Sequence, residues 1–278
     1  MTGFISALEI GMDTSAFSAS VLLWTALAVA VVMLVTWLIS LPLRNASIVD
    51  PIWPMGFVVI GWVSFLAHSD GDGWRTALLL AAVTIWGLRL SLYLFTRNVG
   101  HGEDFRYKAM RKKHGAKFWL VSLGTVFTFQ GVLMWIVSLP LQFGIGTTGR
   151  MSGWLIFLIA GVAVWMIGFL FESVGDAQLR KFKADPNSAG QVMDKGLWRY
   201  TRHPNYFGDA CVWWGILLLS LGAGGWAWLG IIGPVVMTVL LRRVSGVTLL
   251  EKSLVKRRPG YADYVRRTSP FFPRPPRA

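Results

Sequence analysis

A single cysteine, Cys211, stands among 278 residues. One thiol can neither close an internal disulfide nor build a cysteine-based metal cluster, and its apolar neighbours mark it as packing. Charge is also scarce: charged residues make up 15% of the chain, and only 14 acids face 27 Lys and Arg. The signatures with which soluble enzymes hold nucleotides or catalytic metals are absent. There is no Gly-x-Gly-x-x-Gly after a strand, no Gly-Lys-Ser/Thr phosphate loop and no His-Glu-x-x-His. Any nucleotide must therefore be held by helix ends and side chains, and no metal site is expected. Gly/Ser-rich linkers and internal repeats are missing as well, so nothing marks off a second, soluble domain.

Apolar residues fill the space that charge leaves. They account for 54% of the chain, with 15 Trp, a composition too apolar for a water-soluble globule. Runs long enough to cross a hydrocarbon core of ~30 Å occupy residues 19–41, 51–67, 76–95, 118–141, 153–171, 206–221 and 225–241. This pattern predicts an all-α polytopic membrane protein of about seven transmembrane helices, the second and sixth short and interrupted by Gly or Pro. Of the 27 Lys and Arg, seven lie in 97–117, six in 180–202 and ten in 242–277. Seven crossings bring all three segments to one side, which the positive-inside rule makes cytoplasmic, with the N-terminus outside. The net charge of +13 is thus read as topology rather than as a nucleic-acid footprint. Residues 1–18 contain Glu9 and Asp13 and lack a basic start, so they are not read as a signal peptide.

Ionisable groups at membrane depth are expensive and usually face a cavity or a partner. Five stand out: Asp50, Arg89, Glu172, Asp176 and Asp209. Asp50 precedes Pro51 at the start of the second span, a position that suits a helix cap. It equally suits an acid whose apolar surroundings let it donate a proton. In the third span Trp86, Arg89, Tyr93, Thr96 and Arg97 recur at helical spacing and form one polar, aromatic stripe. Arg89 lies too deep to snorkel, so a carboxylate from another span is its expected partner. The loop beyond carries Glu-Asp-Phe-Arg-Tyr at 103–107 and then a cationic run; the run suits a solvated or headgroup-facing surface, whereas the mixed segment before it is less typical of one. Gln130 either lines a cavity or bridges two helices. Glu172, Asp176 and Lys183 share a face at the end of the fifth span, either as a salt-bridge ladder or as contacts to a ligand with its phosphates toward the cytosol.

The densest polar passage is Gly-Leu-Trp-Arg-Tyr-Thr-Arg-His-Pro-Asn-Tyr-Phe-Gly, at 196–208. Pro204 pushes His203 out of the α region and suits the first position of a helix. The unpaired N–H groups of that first turn, with Arg199, Arg202 and His203 beside them, form a candidate phosphate site; a capped membrane-entry helix with a cationic collar is the plainer alternative. Asn205 and Asp209 fall on one face. After the last span, 241–254 reads as an amphipathic helix, followed by a turn at Pro259-Gly260, a short helix carrying Tyr261 and Tyr264, and a proline-rich tail. Together these predict a short cytoplasmic C-terminal helical cap.

The 196–209 passage, the preceding Glu-x-x-x-Asp-x-x-Leu and the closing Leu-Leu-Glu-Lys, Arg-Pro-Gly-Tyr-x-x-Tyr and Phe-Phe-Pro resemble the bacterial branch of the steroid 5-alpha-reductase-like membrane enzymes. The likeness runs from about Ser47 to Pro273 and is most specific in the C-terminal half. It implies one membrane domain over 1–278, with substrate-side spans in 1–141 and an NADPH-holding half in 142–278, in a bacterial inner membrane. By resemblance, Glu172 is a nicotinamide-half contact, and Asp176, Asn205 and Asp209 hydrogen-bond the cofactor. Lys183, Arg199, Arg202, His203 and Tyr206 fall on its phosphate and adenine side, joined by Arg242 or Arg243. Steroid-reducing members grip the substrate carbonyl with a Gln-Glu pair and a Tyr, where this chain has Val49-Asp50 and Trp86. That departure bears on the substrate more than on the chemistry.

The expected activity is NADPH-dependent reduction of a carbonyl-conjugated C=C bond in a lipophilic, steroid-like or other lipid substrate. Asp50 would polarise or protonate the carbonyl oxygen, and Arg89 and Tyr93 would orient that acid or donate in its place. The alternative is an S-adenosylmethionine-dependent membrane methyltransferase of the isoprenylcysteine carboxyl or phospholipid type. Such enzymes share Arg-His-Pro-x-Tyr but usually carry paired glutamates where this chain has Leu250-Glu251.

Overall fold

The computed structural model describes residues 17–68, 73–244, 251 and 258–277. The protein is an all-α, multi-pass membrane protein. Six described helical runs are long and apolar enough to cross a bilayer: Ser20–Leu43, Ala46–Ala67, Gly73–Asn98, Phe105–Val137, Trp154–Ala184 and Gly225–Arg243. The sixth expected span is also a helix, Pro204–Leu221. It is not among the six because Asn205, Asp209 and the flanking Pro and Gly dilute its first turns. The chain falls into two compact units, Met1–Leu158 with Leu219–Ile231, and Ile159–Leu218 with Ile232–Ala278.

In the first unit, α1 (Ser20–Leu43) ends at Arg44 in the left-handed region, φ 47°. Asn45 then caps a 3-10 turn, Ala46–Ile48, by accepting from the Ser47 N–H. This turn feeds α2 (Val49–Ala67), and α3 (Gly73–Asn98) packs on it closely enough that a Cβ on Gly87 would meet the Pro54 carbonyl at 2.9 Å. The cationic run expected as a loop is instead helical over α4 (Phe105–His114), started by Asp104, whose carboxylate accepts from the Arg106 N–H. Along a straight helix Tyr107 and Gln130 would stand about 34 Å apart. Their side chains hydrogen-bond at 3.2 Å, so the run is bent. The bend is at Gly115, φ 53°, after which α5 (118–137) makes the crossing through a π-turn at Leu123–Thr128.

A short buried helix, α6 (Leu139–Gly146), follows. Its Gln142 accepts from Thr25 and donates to Ser138 and the Trp135 carbonyl, a satisfied amide in an apolar core.

The second unit is built on α7 (Trp154–Ala184) from Ile159 onward and on α8 (Pro204–Leu221) as far as Leu218. They meet along a glycine seam. A Cβ on Gly168 would stand 2.6 Å from the Gly208 carbonyl oxygen, and one on Gly215 would stand 2.6 Å from the Trp165 amide nitrogen. Small residues let two backbones touch inside a membrane, where apolar burial gives helices little reason to associate. The run α9 (Gly225–Arg243) leads to α10 (Tyr261–Arg267), and the tail pairs its backbone with the 200–202 segment through Arg202 N–H to Ser269 O and Arg274 N–H to Tyr200 O. The expected amphipathic helix at 241–254 lies mostly outside the described residues, and residues 1–16 and 69–72 lie wholly outside them.

Candidate functional site

Two polar clusters, one in each unit, hold Asp50 and the acids and amide of the second unit. In the first unit Asp50 sits in the opening turn of α2. Its side chain caps no backbone group among the described residues. Instead Oδ1 accepts from the Tyr107 hydroxyl at 3.0 Å and Oδ2 from Arg106 Nη2 at 3.1 Å, while the same hydroxyl accepts from Gln130 Nε2. The result is a chain of three groups, Gln130 to Tyr107 to Asp50, ending on a carboxylate that a guanidinium also holds. The Arg106 side chain is 49% exposed, so the ion pair itself adds at most about 1 kcal/mol. Its effect is to orient the acid.

A second acid braces this arrangement. Glu103 takes both Nε and Nη2 of Arg111, at 2.9 and 2.8 Å, and the Ala46 N–H at 2.9 Å. Ser47 Oγ accepts from the Asp104 N–H. The base of α4 is therefore tied to the turn that starts α2, which fixes Tyr107 relative to Asp50. Burial opposes ionisation of Glu103, but the Arg111 bonds and the Ala46 N–H outweigh it and hold the carboxyl below its usual range.

The other expected members of this site are placed differently. Trp86 is fully buried against Phe57, ring centroids 5.7 Å apart, and fills core. Tyr93 lies between two guanidiniums, Arg89 at 5.7 Å and Arg97 at 5.9 Å from its ring. The hydroxyl on Asp50 is therefore that of Tyr107 rather than Tyr93, and the cation on it is Arg106 rather than Arg89. Sequence reasoning missed Arg106 and Tyr107 as site residues. Their signal was the mixed Glu-Asp-Phe-Arg-Tyr segment, unlike an ordinary cationic surface.

In the second unit the seam sets α7 against the first turns of α8 and brings Asp176 to Asn205, whose Nδ2 donates to Oδ1 at 3.1 Å. Glu172, Asp176 and Asp209 are all buried. Lys183 lies further along the face of Glu172 and Asp176, exposed, as are Arg199, Arg242 and Arg243. Arg242 stacks over Phe271 and Phe272 at 5.5 and 5.6 Å.

Arg202 and His203 are buried and engaged. Arg202 forms a two-point bond to Glu251, with Nε to Oε1 at 2.6 Å and Nη2 to Oε2 at 3.0 Å, while Nη1 donates to the Val265 and Thr268 carbonyls. His203 Nε2 lies 3.1 Å from Glu251 Oε1, and its ring stacks on Tyr206 at 5.3 Å. Burial works against the Glu251 charge, but the bonds from His203 and Arg202 prevail and hold its carboxyl low. The Tyr261 hydroxyl is pushed up to about 12 by burial, with the Glu251 charge adding to it. The motif is further docked through Trp198 Nε1 to the Gly175 carbonyl and Tyr264 OH to the Trp198 carbonyl. Arg202 thus locks the C-terminal segment onto the 196–208 passage, a use of its donors that the sequence did not suggest.

Comparison with known proteins adds three findings. The chain is 25% identical over 277 residues to Uncharacterized protein C594.04c of Schizosaccharomyces pombe, covering 86% of this chain and 76% of that one. It is 33% identical over 69 residues to the 3-oxo-5-alpha-steroid 4-dehydrogenase 1 of Bos taurus, a stretch of 25% of this chain and 27% of that enzyme. No solved structure matches. The model of the family described as Protein of unknown function (DUF1295) matches residues 36–268, most of the chain, and the protein therefore belongs to this steroid 5-alpha-reductase-like family.

Proposed function

We propose that the protein is an NADPH-dependent membrane reductase of a carbonyl-conjugated C=C bond in a lipid or steroid-like substrate. The observation that carries this reading is the acid and amide set on the seam of backbone contact: Glu172, Asp176 and Asp209, all buried, with the half-buried Asn205 bonded to Asp176. It is joined by the partial likeness to a 3-oxo-5-alpha-steroid 4-dehydrogenase. Buried carboxylates and an amide suit the hydroxyls and carboxamide of a dinucleotide, and the exposed Lys183, Arg199, Arg242 and Arg243 suit its phosphates. The donor set thus fits NADPH. Arg202 and His203 enter the reading differently, as residues that hold the motif through Glu251, with Tyr206 stacked on His203.

NADPH supplies the hydride in this chemistry, and the chain must supply the proton. Asp50 is the group assigned to polarise or protonate the substrate carbonyl oxygen. The proton that Asp50 gives up is replaced from water after each turnover, while the Tyr107 hydroxyl, itself oriented by Gln130, holds Oδ1 through the hydrogen bond it already makes. Arg106 Nη2 keeps the second carboxylate oxygen fixed, so that the acid faces one way. Arg89, Tyr93 and Trp86 shape the surroundings in this assignment. The three basic segments are assigned to the cytoplasmic side, with the N-terminus outside.

Binding of NADPH to the purified protein, read by energy transfer from tryptophan, tests the proposal, with S-adenosylmethionine as the competing ligand. Asn205→Ala combined with Asp176→Asn removes hydrogen bonds worth on the order of 1–3 kcal/mol each and should weaken NADPH by tenfold or more. Unchanged affinity in the folded double variant, or preferential binding of S-adenosylmethionine, rejects the reductase reading.

A further inference from the structure

In the first unit, the segments 17–20, 68–75, 138–154 and 222–225 contain just two Lys or Arg, namely Arg75 and Arg150. Three backbone contacts join 17–20 and 222–225 to 138–154: Ser18 N–H to Gly146 O, Met151 N–H to Gly222 O and the bridge of Phe17 with Thr147; the Arg75 side chain ties the start of α3 to the same segment. Both arginines line one cavity of about 260 Å³, with Trp74, Trp154, Leu158 and Gly222 among its walls. None of these residues belongs to either cluster described above.

The fold goes to some length to hold the two guanidiniums there. Arg75, in the first turn of α3, is 6% exposed and donates to three carbonyls, from Nε to Gly144, Nη1 to Gly149 and Nη2 to Thr147. The second of these bonds fixes the residue next to Arg150. The Arg150 guanidinium lies over the Trp154 ring at 4.5 Å, aligned by the aromatic face. A planar guanidinium held in this way presents a fork of donors suited to phosphate oxygens. The walls beyond it are apolar, and Trp74 is 77% exposed at the rim, as interfacial tryptophans are in membrane proteins. A cationic mouth over an apolar cleft among membrane helices matches an amphiphile with an anionic head better than it matches a soluble ion.

We infer that this cavity binds the headgroup of an anionic phospholipid, with Arg150 on the phosphate and the first carbons of the acyl chains against Leu158 and Trp154. The site lies at the end of the first unit's helices opposite Asp50, and it regulates or stabilises rather than catalyses.

The full-length protein, purified into nanodiscs of phosphatidylcholine doped with phosphatidylglycerol, is released in a mass spectrometer and its retained lipids are counted. The parent should keep one phosphatidylglycerol in preference to phosphatidylcholine. Arg150→Gln should lower that retention roughly tenfold, the usual worth of one charged hydrogen-bond donor. Leu158→Trp, which fills the cavity and leaves both cations in place, should lower it as well. Lys112→Gln, in the basic run after Tyr107, should keep parental retention and so report non-specific attraction. Equal retention in the parent and both cavity variants overturns the proposal, as does equal loss in Lys112→Gln. Displacement by millimolar inorganic phosphate also overturns it, because the ligand would then be a soluble anion.

Discussion

Gly208→Ala is the smallest change that tests the architecture of the second unit. A Cβ there would stand 2.5 Å from the Gly168 carbonyl oxygen and would also collide with the Glu172 amide nitrogen. Both obstacles are backbone, so no side chain can rotate away. To reach an ordinary contact of roughly 3.5 Å, α7 and α8 must part by about 1 Å. Overpacking of this kind costs about 1–3 kcal/mol, and a clash with two backbone atoms belongs at the upper end. At about 2–4 °C per kcal/mol for a chain near this size, the melting temperature should fall by roughly 6–12 °C. The same displacement stretches the 3.1 Å bond from Asn205 to Asp176 beyond hydrogen-bonding range, so NADPH affinity should fall with stability. The assay is thermal unfolding in detergent followed by tryptophan fluorescence, at one scan rate, because membrane proteins often unfold irreversibly. Gly124→Ala is the comparison: a Cβ there meets nothing within 4 Å, and a helical glycine replaced by alanine gains up to about 1 kcal/mol. If Gly208→Ala melts within about 2 °C of the parent, under 1 kcal/mol on this scale, the backbone contact does not exist and the assembly of the acid and amide set loses its basis.

Three further outcomes follow from the same contacts. Asp50→Asn should melt like the parent, because the side chain caps no helix and its ion pair is half exposed, yet turnover of NADPH on the best conjugated enone should drop by ~10² or more; Tyr107→Phe should slow turnover less, and parental turnover in Asp50→Asn removes it from the mechanism. The Glu251 carboxyl is held low by His203 and Arg202, so its contribution to stability is present above the ordinary Glu value of about 4.3 and is lost as the pH falls below that through the depressed folded value; Glu251→Gln should melt lower than the parent at neutral pH, and the gap should close toward pH 3, whereas a gap that persists there refutes the clamp. Single cysteines at Lys112 and Arg274, after replacement of Cys211, should both react with a membrane-impermeant reagent from the cytoplasmic side only, and labelling from opposite faces refutes the topology.

The helices were legible because apolar runs of membrane length are rare outside membranes, and Pro204 marked the start of α8 correctly. The base of α4 was not legible. Its charges masked the helical signal, and the reversal at Gly115 depends on one positive φ that the composition does not announce. The seam was present in the sequence as Gly168 and Gly175, and again as Gly208 and Gly215, each pair seven residues apart. Glycine is common in transmembrane helices, so spacing alone did not say which face met which. Asp50 could be read as a cap or as an acid because local sequence supplies only the helix start. Its actual partners, Arg106 and Tyr107, lie 56 and 57 residues away. The partner of Arg202, Glu251, is 49 residues distant, and Arg-His-Pro read in isolation invited a phosphate in its place.

The polar groups also differ in how completely they are satisfied, and that difference separates structure from chemistry. Glu103 receives three donors, two of them from one arginine fork, and Arg202 gives its donors to a carboxylate and two carbonyls. Groups saturated in this way have little left for a ligand, and their removal leaves a buried partner unpaired. Asp50 is different. A carboxylate offers about four lone-pair sites, and among the described residues it meets two single donors, from Tyr107 and Arg106. One of these donors, the Tyr107 hydroxyl, is itself held by an amide. An acid anchored at two points with capacity left over is the arrangement expected of a group that must meet something else, and for this reason Asp50, rather than the better-bonded Glu103 three residues before Arg106, is assigned the reacting proton.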